Sequence, residues 1–303
     1  MFGRASPETI AVNRGASPTP ATVDRAARLA QDIRGRFLAP DYRPPMLPEA
    51  ALEVHRLAGD PNVSFATVAR VLEKDPLLTA RVLRLSRSGA YARPTPVTSI
   101  RDAVGRLGLK AIGELVWRAA LDVGVFRVAR YRRAMDQLRR HSTTVAYLAR
   151  AAALFTPVPV EYAFLAGLLH DIGLAAALLV LGEAAAVDER ADQAVQAVAV
   201  ASVHEELSAM VARLWSLPED LQAALAQHHN LGAGGSVHPV AAVITVAESL
   251  ALSLAGPQVG VGQWDTVARD EVQLAYESLE LSAPQLQVVE AEARKVLAAL
   301  GRK

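Results

Sequence analysis

Apolar side chains recur at three- and four-residue intervals along most of this chain, and that spacing predicts helices. Val23, Ala26, Ala30, Ile33 and Phe37 form a first stripe, with Thr22 placed to cap it. Pro40, Pro44, Pro45 and Pro48 then forbid one continuous helix, so the main domain is placed from near Asp41 onward. Residues 1–40 read as a flexible tail, a short helix and a Pro-rich linker. From Leu47 to Leu121 the pattern predicts a succession of short helices with clear punctuation. Gly59-Asp60-Pro61 stops one, Ser64 can cap the next, and Asp75-Pro76 offers an N-cap followed by proline at the first helical position. Ser99 with Asp102 reads as a capping box, and Gly108 ends that helix.

The second half carries longer patterns, each with a histidine or acid among its inward positions. Leu138, His141, Val145 and Leu148 share one stripe; Val200, His204, Leu207, Val211 and Leu214 share another. Ser216 with Glu219 reads as a capping box for a helix that aligns Leu221, Leu225, His228 and His229, which Asn230 and Gly232 would end. A further helix from Pro239 aligns Val240, Ile244, Ala247 and Glu248. Two more are expected between Asp265 and Lys303, separated near Ser282-Ala283-Pro284. No internal repeat or heptad run is evident.

Tyr162–Leu181 is apolar enough to invite a membrane reading, but His170 and Asp171 stand near its middle and Gly173 interrupts it. A central Asp alone costs about 2.5–3.5 kcal/mol on insertion scales. A helix buried in a large bundle is the better reading, and no membrane partner is expected.

Composition narrows the chemistry. The 303 residues are 51% hydrophobic and 21% charged, which supports a packed core and excludes disorder. Only 5% are aromatic while Ala, Leu and Val dominate, so the fold class expected is all-α, a multi-helix bundle with an N-terminal helical subdomain. Cysteine is absent, which excludes disulfides, thiolate metal sites and a Cys nucleophile. Residues 1–20 have no apolar core of a secretory signal, and the cytoplasm is the expected location. A net charge of +1 disfavours polyanion binding overall. It conceals a local run, Arg127, Arg130, Arg132, Arg133, Arg139 and Arg140, with Tyr131 its one aromatic residue. A phosphate-binding stripe is one reading; a solvated face paired with carboxylates is preferred, and nucleic acid is not an expected partner. His55, alone in the front half, reads as a surface or hydrogen-bonded residue.

One inward histidine is ordinarily a hydrogen-bonded core residue. His141, His170, His204, His228 and His229 together with Asp171 and Glu248 demand more, because burying so many polar groups is costly unless they satisfy one another or share an ion. Imidazole and carboxylate suit one or two divalent metals, with Fe, Mn, Zn and Mg as candidates. Asp171 beside His170 is the natural bridge and the candidate catalytic residue. Paired metals roughly 3.5–4 Å apart are the usual apparatus of metal-assisted phosphoester hydrolysis.

His141, then His170-Asp171 within Leu168-Leu169-His170-Asp171-Ile172-Gly173, then a later acid, resembles the HD superfamily of metal-dependent phosphohydrolases. His204, His228 and His229 resemble the extended ligand set of its HD-GYP branch, which cleaves cyclic di-GMP. The resemblance to the regulatory HDOD branch is more specific and spans about residues 41–240, with an N-terminal helical half (41–125) and an HD-like half (126–240). It includes Leu47-Pro48, Glu73-Lys74-Asp75-Pro76-Leu77-Leu78, Val82-Leu83-Arg84-Leu85, Ser99-Ile100-Arg101-Asp102-Ala103-Val104 with Leu107-Gly108, and Leu214-Trp215-Ser216-Leu217-Pro218. Residues 241–303 are expected to pack as helices on the HD-like half.

Three departures bear on turnover. Leu174 stands where related hydrolases carry Lys, and Asn230-Leu231-Gly232-Ala233-Gly234-Gly235 replaces the acid and Gly-Tyr-Pro of the HD-GYP pattern. Glu248 stands where Asp is usual. The resemblance thus implies a cytoplasmic signalling module, a scaffold or sensor for a protein partner or small nucleotide, without turnover. The alternative is a metal-dependent phosphohydrolase, and a third reading keeps all the histidines as structural hydrogen-bonders.

Overall fold

The structure is a computed structural model describing residues 19–58, 60, 62–88, 91, 97–126, 128, 130–183, 193–232, 235–255 and 268–300. The N-terminal tail, Gly59, Pro61, Arg127, Ala233 and Gly234 lie outside the described residues.

Among the described residues the chain is helical throughout, without strands, as the composition predicts. The front half consists of α2 (Glu49–Ala58), α3 (Phe65–Glu73), α4 (Pro76–Ser86) and α5 (Ile100–Gly124). Its caps are those the sequence marks. Ser64 accepts from Thr67 N–H, Asp75 accepts from Leu77 and Leu78 N–H, and Ser99 and Asp102 close a reciprocal capping box. Gly108 breaks α5 with φ 77° and ψ 162°, a conformation that excludes side chains with a Cβ, and helical backbone resumes beyond it. α2, α3 and α4 all pack against α5.

Helix α1 (Pro20–Phe37) begins earlier than the pattern suggests: Thr19, not Thr22, is its cap, accepting from Thr22 N–H at 3.2 Å. Ala26, Leu29, Ala30, Ile33 and Phe37 are buried, while Val23 stays exposed. The helix lies along α8 (Ile172–Glu183) and α9 (Gln193–Leu214), tied by Arg34 to Glu206 at 2.5 Å.

The second half pairs α6 (Arg132–Ala152) with α7 (Val160–Leu169), and α8 with α9. Short α10 (Glu219–Leu225) follows, then α11 (Pro239–Leu250), α12 (Arg269–Ser278) and α13 (Ala283–Leu300). α11 packs on α6 and α7, and α13 on α6. The two halves are stitched together by Arg150, which reaches Glu114 of α5 at 2.5 Å and Glu161 of α7 at 2.8 Å while lying over the Phe164 ring. Trp215 adds to the seam: its indole N–H donates to Pro45 O at 2.9 Å and its ring sits 6.4 Å from Trp117.

Several local expectations are corrected. The apolar stretch is not one helix: it breaks at His170-Asp171, and Gly173 lies inside α8 rather than interrupting it. Val160–Glu183 is long and apolar enough to cross a membrane, yet 94% of its apolar 18-residue stretch is buried inside the protein. Ser216 caps nothing; it adopts φ 53° in the turn that closes α9, and Leu217 N–H donates back to Ala212 O at 3.0 Å. α10 therefore ends at Leu225, and His228 and His229 stand in the following turn, not on a helix face. Leu214 is also exposed, because α9 ends there.

Candidate metal centre

Five elements bring all seven predicted donors together. His141 comes from α6, His170 and Asp171 from the α7–α8 turn, His204 from α9, His228 and His229 from the turn after α10, and Glu248 from α11. They form two quartets, His141/His170/Asp171/Glu248 and Asp171/His204/His228/His229, each with donor atoms within 4.8 Å of one another.

Asp171 belongs to both. Its Oδ2 lies 3.2 Å from His170 Nε2 and 3.5 Å from His141 Nε2, and its Oδ1 lies 3.6 Å from both His204 Nε2 and His228 Nε2. His229 Nε2, 3.7 Å from Glu248 Oε1, connects the quartets a second time.

The backbone selects the tautomer. His170 Nδ1 lies 2.8 Å from Gly167 O, His204 Nδ1 2.6 Å from Ala201 O, and His228 Nδ1 3.0 Å from Leu225 O. A carbonyl can only accept, so each Nδ1 carries the proton and each Nε2 lone pair faces Asp171, the orientation of a metal-binding imidazole.

Several polar side chains that sequence periodicity did not single out build the turns. Ser208 of α9 inserts at the α7–α8 break, donating to His170 O at 2.7 Å and accepting from Gly173 N–H at 2.9 Å. This one hydroxyl replaces helical partners and turns His170-Asp171 out of what would be a continuous helix. Gly173 allows the approach: a Cβ there would lie 1.9 Å from His204 O and 2.6 Å from Ser208 N. Glu205 accepts from His229 N–H at 2.9 Å, and Thr245 Oγ1 lies 2.8 Å from His228 O. Glu271 of α12 accepts from Leu231 N–H at 2.9 Å. Only the adjacency of Glu205 to His204 could have flagged one of them in sequence.

Electrostatically the centre is a balanced cluster. Burial alone would lower His170, but Asp171 and Glu248 hold it well above the ordinary histidine value. Burial likewise opposes His228, which Asp171 and Glu248 raise. Burial would raise Asp171 and Glu248; the surrounding imidazoles instead hold Asp171 well below the carboxylate range and bring Glu248 down to about 2. Burial keeps His204 low and takes His229 down to about 3. The carboxylates thus favour the charged forms of His170 and His228 and the imidazoles favour the ionised carboxylates, a mutual pairing in which a divalent cation would compete with protons for the Nε2 positions.

The residues fit such a cation. Asp171 Oδ1, His204 Nε2, His228 Nε2 and both Glu248 oxygens are buried without a hydrogen-bond partner. Several orphaned donors converging at one point are what a shared ion satisfies.

The HDOD domain model matches residues 45–231, and the chain belongs to this family. A protein of Treponema pallidum (strain Nichols) without assigned function is 26% identical over 200 residues, which are 62% of this chain and 38% of that one. The chain thus spans well under half of that relative's length. An HDOD domain protein of unknown function from Geobacter sulfurreducens superposes with TM-score 0.57 at 25% identity, covering 92% of this chain and 95% of that one. A protein from Shewanella amazonensis SB2B, described as a metal-dependent phosphohydrolase, gives 0.60 at 20% identity, with 89% and 99% covered. One from Marinobacter aquaeolei VT8, described as a signal transduction protein, gives 0.62 at 23%, with 94% and 67% covered. These last two show a shared fold. Glu248 and Glu271 lie beyond the matched region.

Proposed function

We propose that this is a cytoplasmic regulatory HDOD protein that acts as a binding scaffold or sensor in a signalling pathway and does not turn over substrate. Its His/carboxylate centre holds one or two divalent ions. The observation that carries this reading is enclosure: the orphaned donor atoms of Asp171, His204, His228 and Glu248 have essentially no contact with solvent. A bound ion supplies Lewis acidity and lowers the pKa of a coordinated water, but a phosphoester must reach it to benefit. In this arrangement the chain's own residues surround that position: Asp171 bridges, the three Nδ1–H bonds orient their rings, and Glu248 closes the side next to α11. Leu174, standing where related hydrolases carry Lys, is 1% exposed and belongs to the core. The Marinobacter protein is described as a signal transduction protein, which is in keeping with a signalling context; the bound species we propose is a protein partner or a small nucleotide.

The test is direct. Purified protein is expected to contain iron, manganese or zinc by elemental analysis, yet to leave cyclic di-GMP intact after metal reconstitution. Hydrolysis that disappears with Asp171→Ala would overturn the non-catalytic reading. The second reading, a metal-dependent phosphohydrolase, is favoured by the completeness of the donor set around one shared carboxylate. It fails if no metal binds even after reconstitution.

A further inference from the structure

Away from the buried centre, α5, α6 and Leu168 of α7 meet at a small cleft of about 20 Å³ where arginines outnumber carboxylates. Arg118, Asp122, Phe126, Arg139 and Thr143 line it. Asp122 is the carboxylate among them, and it is already engaged. Its Oδ2 accepts from Arg81 of α4 at 2.8 Å, and its Oδ1 lies 3.8 Å from Arg139 of α6. Arg139 reaches Asp136, one turn earlier, only at 3.6 Å. Arg118, half-buried on α5, has no carboxylate within ion-pair distance among the described residues.

Arg81 and Arg139 therefore divide Asp122 between them, Arg139 also meets Asp136, and the Arg118 guanidinium adds a positive charge that no carboxylate offsets within ion-pair distance among the described residues. A guanidinium removed from bulk water without a counter-ion is costly, and its planar fork matches the oxygens of a phosphoryl group. Thr143 lines the same cleft and carries a neutral hydroxyl. The space admits about one water-sized group, so it fits an oxygen of a phosphoryl group rather than a nucleobase or a helix.

We propose that this cleft is an anion site that takes the phosphoryl group of a small phosphorylated ligand, held by Arg118 and Arg139 with Thr143, while Asp122 keeps Arg81 aligned. The site differs from the metal centre in every residue, and the inference needs neither a bound metal nor any view on turnover. Arg139 and Thr143 nevertheless flank His141 on α6, so an occupied cleft and the centre share one rigid element.

The experiment is a titration with inorganic phosphate at low ionic strength, followed by calorimetry on full-length protein, wild type against Arg118→Gln and Arg139→Gln. Arg118 holds no ion pair that its replacement would break, so Arg118→Gln is expected to keep the wild-type circular dichroism and metal content. Saturable binding, weakened about tenfold by Arg118→Gln and similarly by Arg139→Gln, is the expected result. Absence of saturable binding to the wild type, or wild-type affinity retained in both variants, would overturn the proposal. Unchanged metal content across the series separates loss of this site from phosphate binding at the centre.

Discussion

At the residue scale, the centre depends on groups whose roles are not interchangeable. Asp171 is the residue common to both quartets of donors. Asp171→Ala is expected to abolish stable metal binding, read by elemental analysis after reconstitution; full metal content in that variant would remove Asp171 as the shared ligand. Ser208 acts on backbone alone. Ser208→Ala leaves the His170 carbonyl and Gly173 N–H buried without this partner and is expected to destabilise the fold by about 1–3 kcal/mol, measured by chemical denaturation. Gly173→Ala is more severe, since its Cβ would collide with backbone atoms of α9, which cannot rotate away. A loss of about 3 kcal/mol or more is expected, seen as failure to accumulate folded protein or as a sharply lowered denaturation midpoint. A near-neutral alanine would show that α8 and α9 can separate without loss.

At the element scale, the front half owes its segmentation to caps, and the acid on α5 makes this testable by pH. Asp102 accepts from Thr98 and Ser99, and these bonds bring its carboxyl down to about 2. In the unfolded chain it titrates near 3.9. A depressed folded value means its contribution is fully present above the unfolded value and is lost as pH falls through about 2. Replacing it with Asn is expected to shrink the decline in stability between pH 4 and pH 2 relative to wild type, followed by urea denaturation. An identical decline would mean the capping box carries no pH-linked stability. The break between α7 and α8 shows the converse: the residues from Tyr162 to Leu181 have the apolar content of one long helix, and a serine 38 residues beyond His170 divides it.

At the scale of the whole molecule, the centre joins five elements that otherwise meet through apolar packing. A ligand that binds only the folded state adds stability by mass action, about 2.7 kcal/mol at a hundredfold excess over its dissociation constant. Chelation is accordingly expected to lower the thermal midpoint and metal addition to restore it, measured by differential scanning calorimetry. A midpoint indifferent to chelator in a metal-containing preparation would mean the ion contributes nothing to cohesion. The halves are held by a different device, Arg150 between Glu114 and Glu161 over the Phe164 ring, which leaves the seam independent of the metal.

The sequence by itself determined the all-helical class, the positions of Ser64, Asp75 and the Ser99–Asp102 box, and the donor chemistry of His141, His170, Asp171, His204, His228, His229 and Glu248. Caps and stripes are contacts between residues two to four apart, so they are written locally. It could not show that His228 and His229 stand in a turn, that Ser208 splits the apolar run, or that Asp171 faces both quartets. Nor could it show that Arg81 and Arg139 meet at Asp122. Those facts depend on helices packing across long separations, such as the 29 residues between His141 and His170, where side-chain fit and the pairing of buried polar groups select one arrangement.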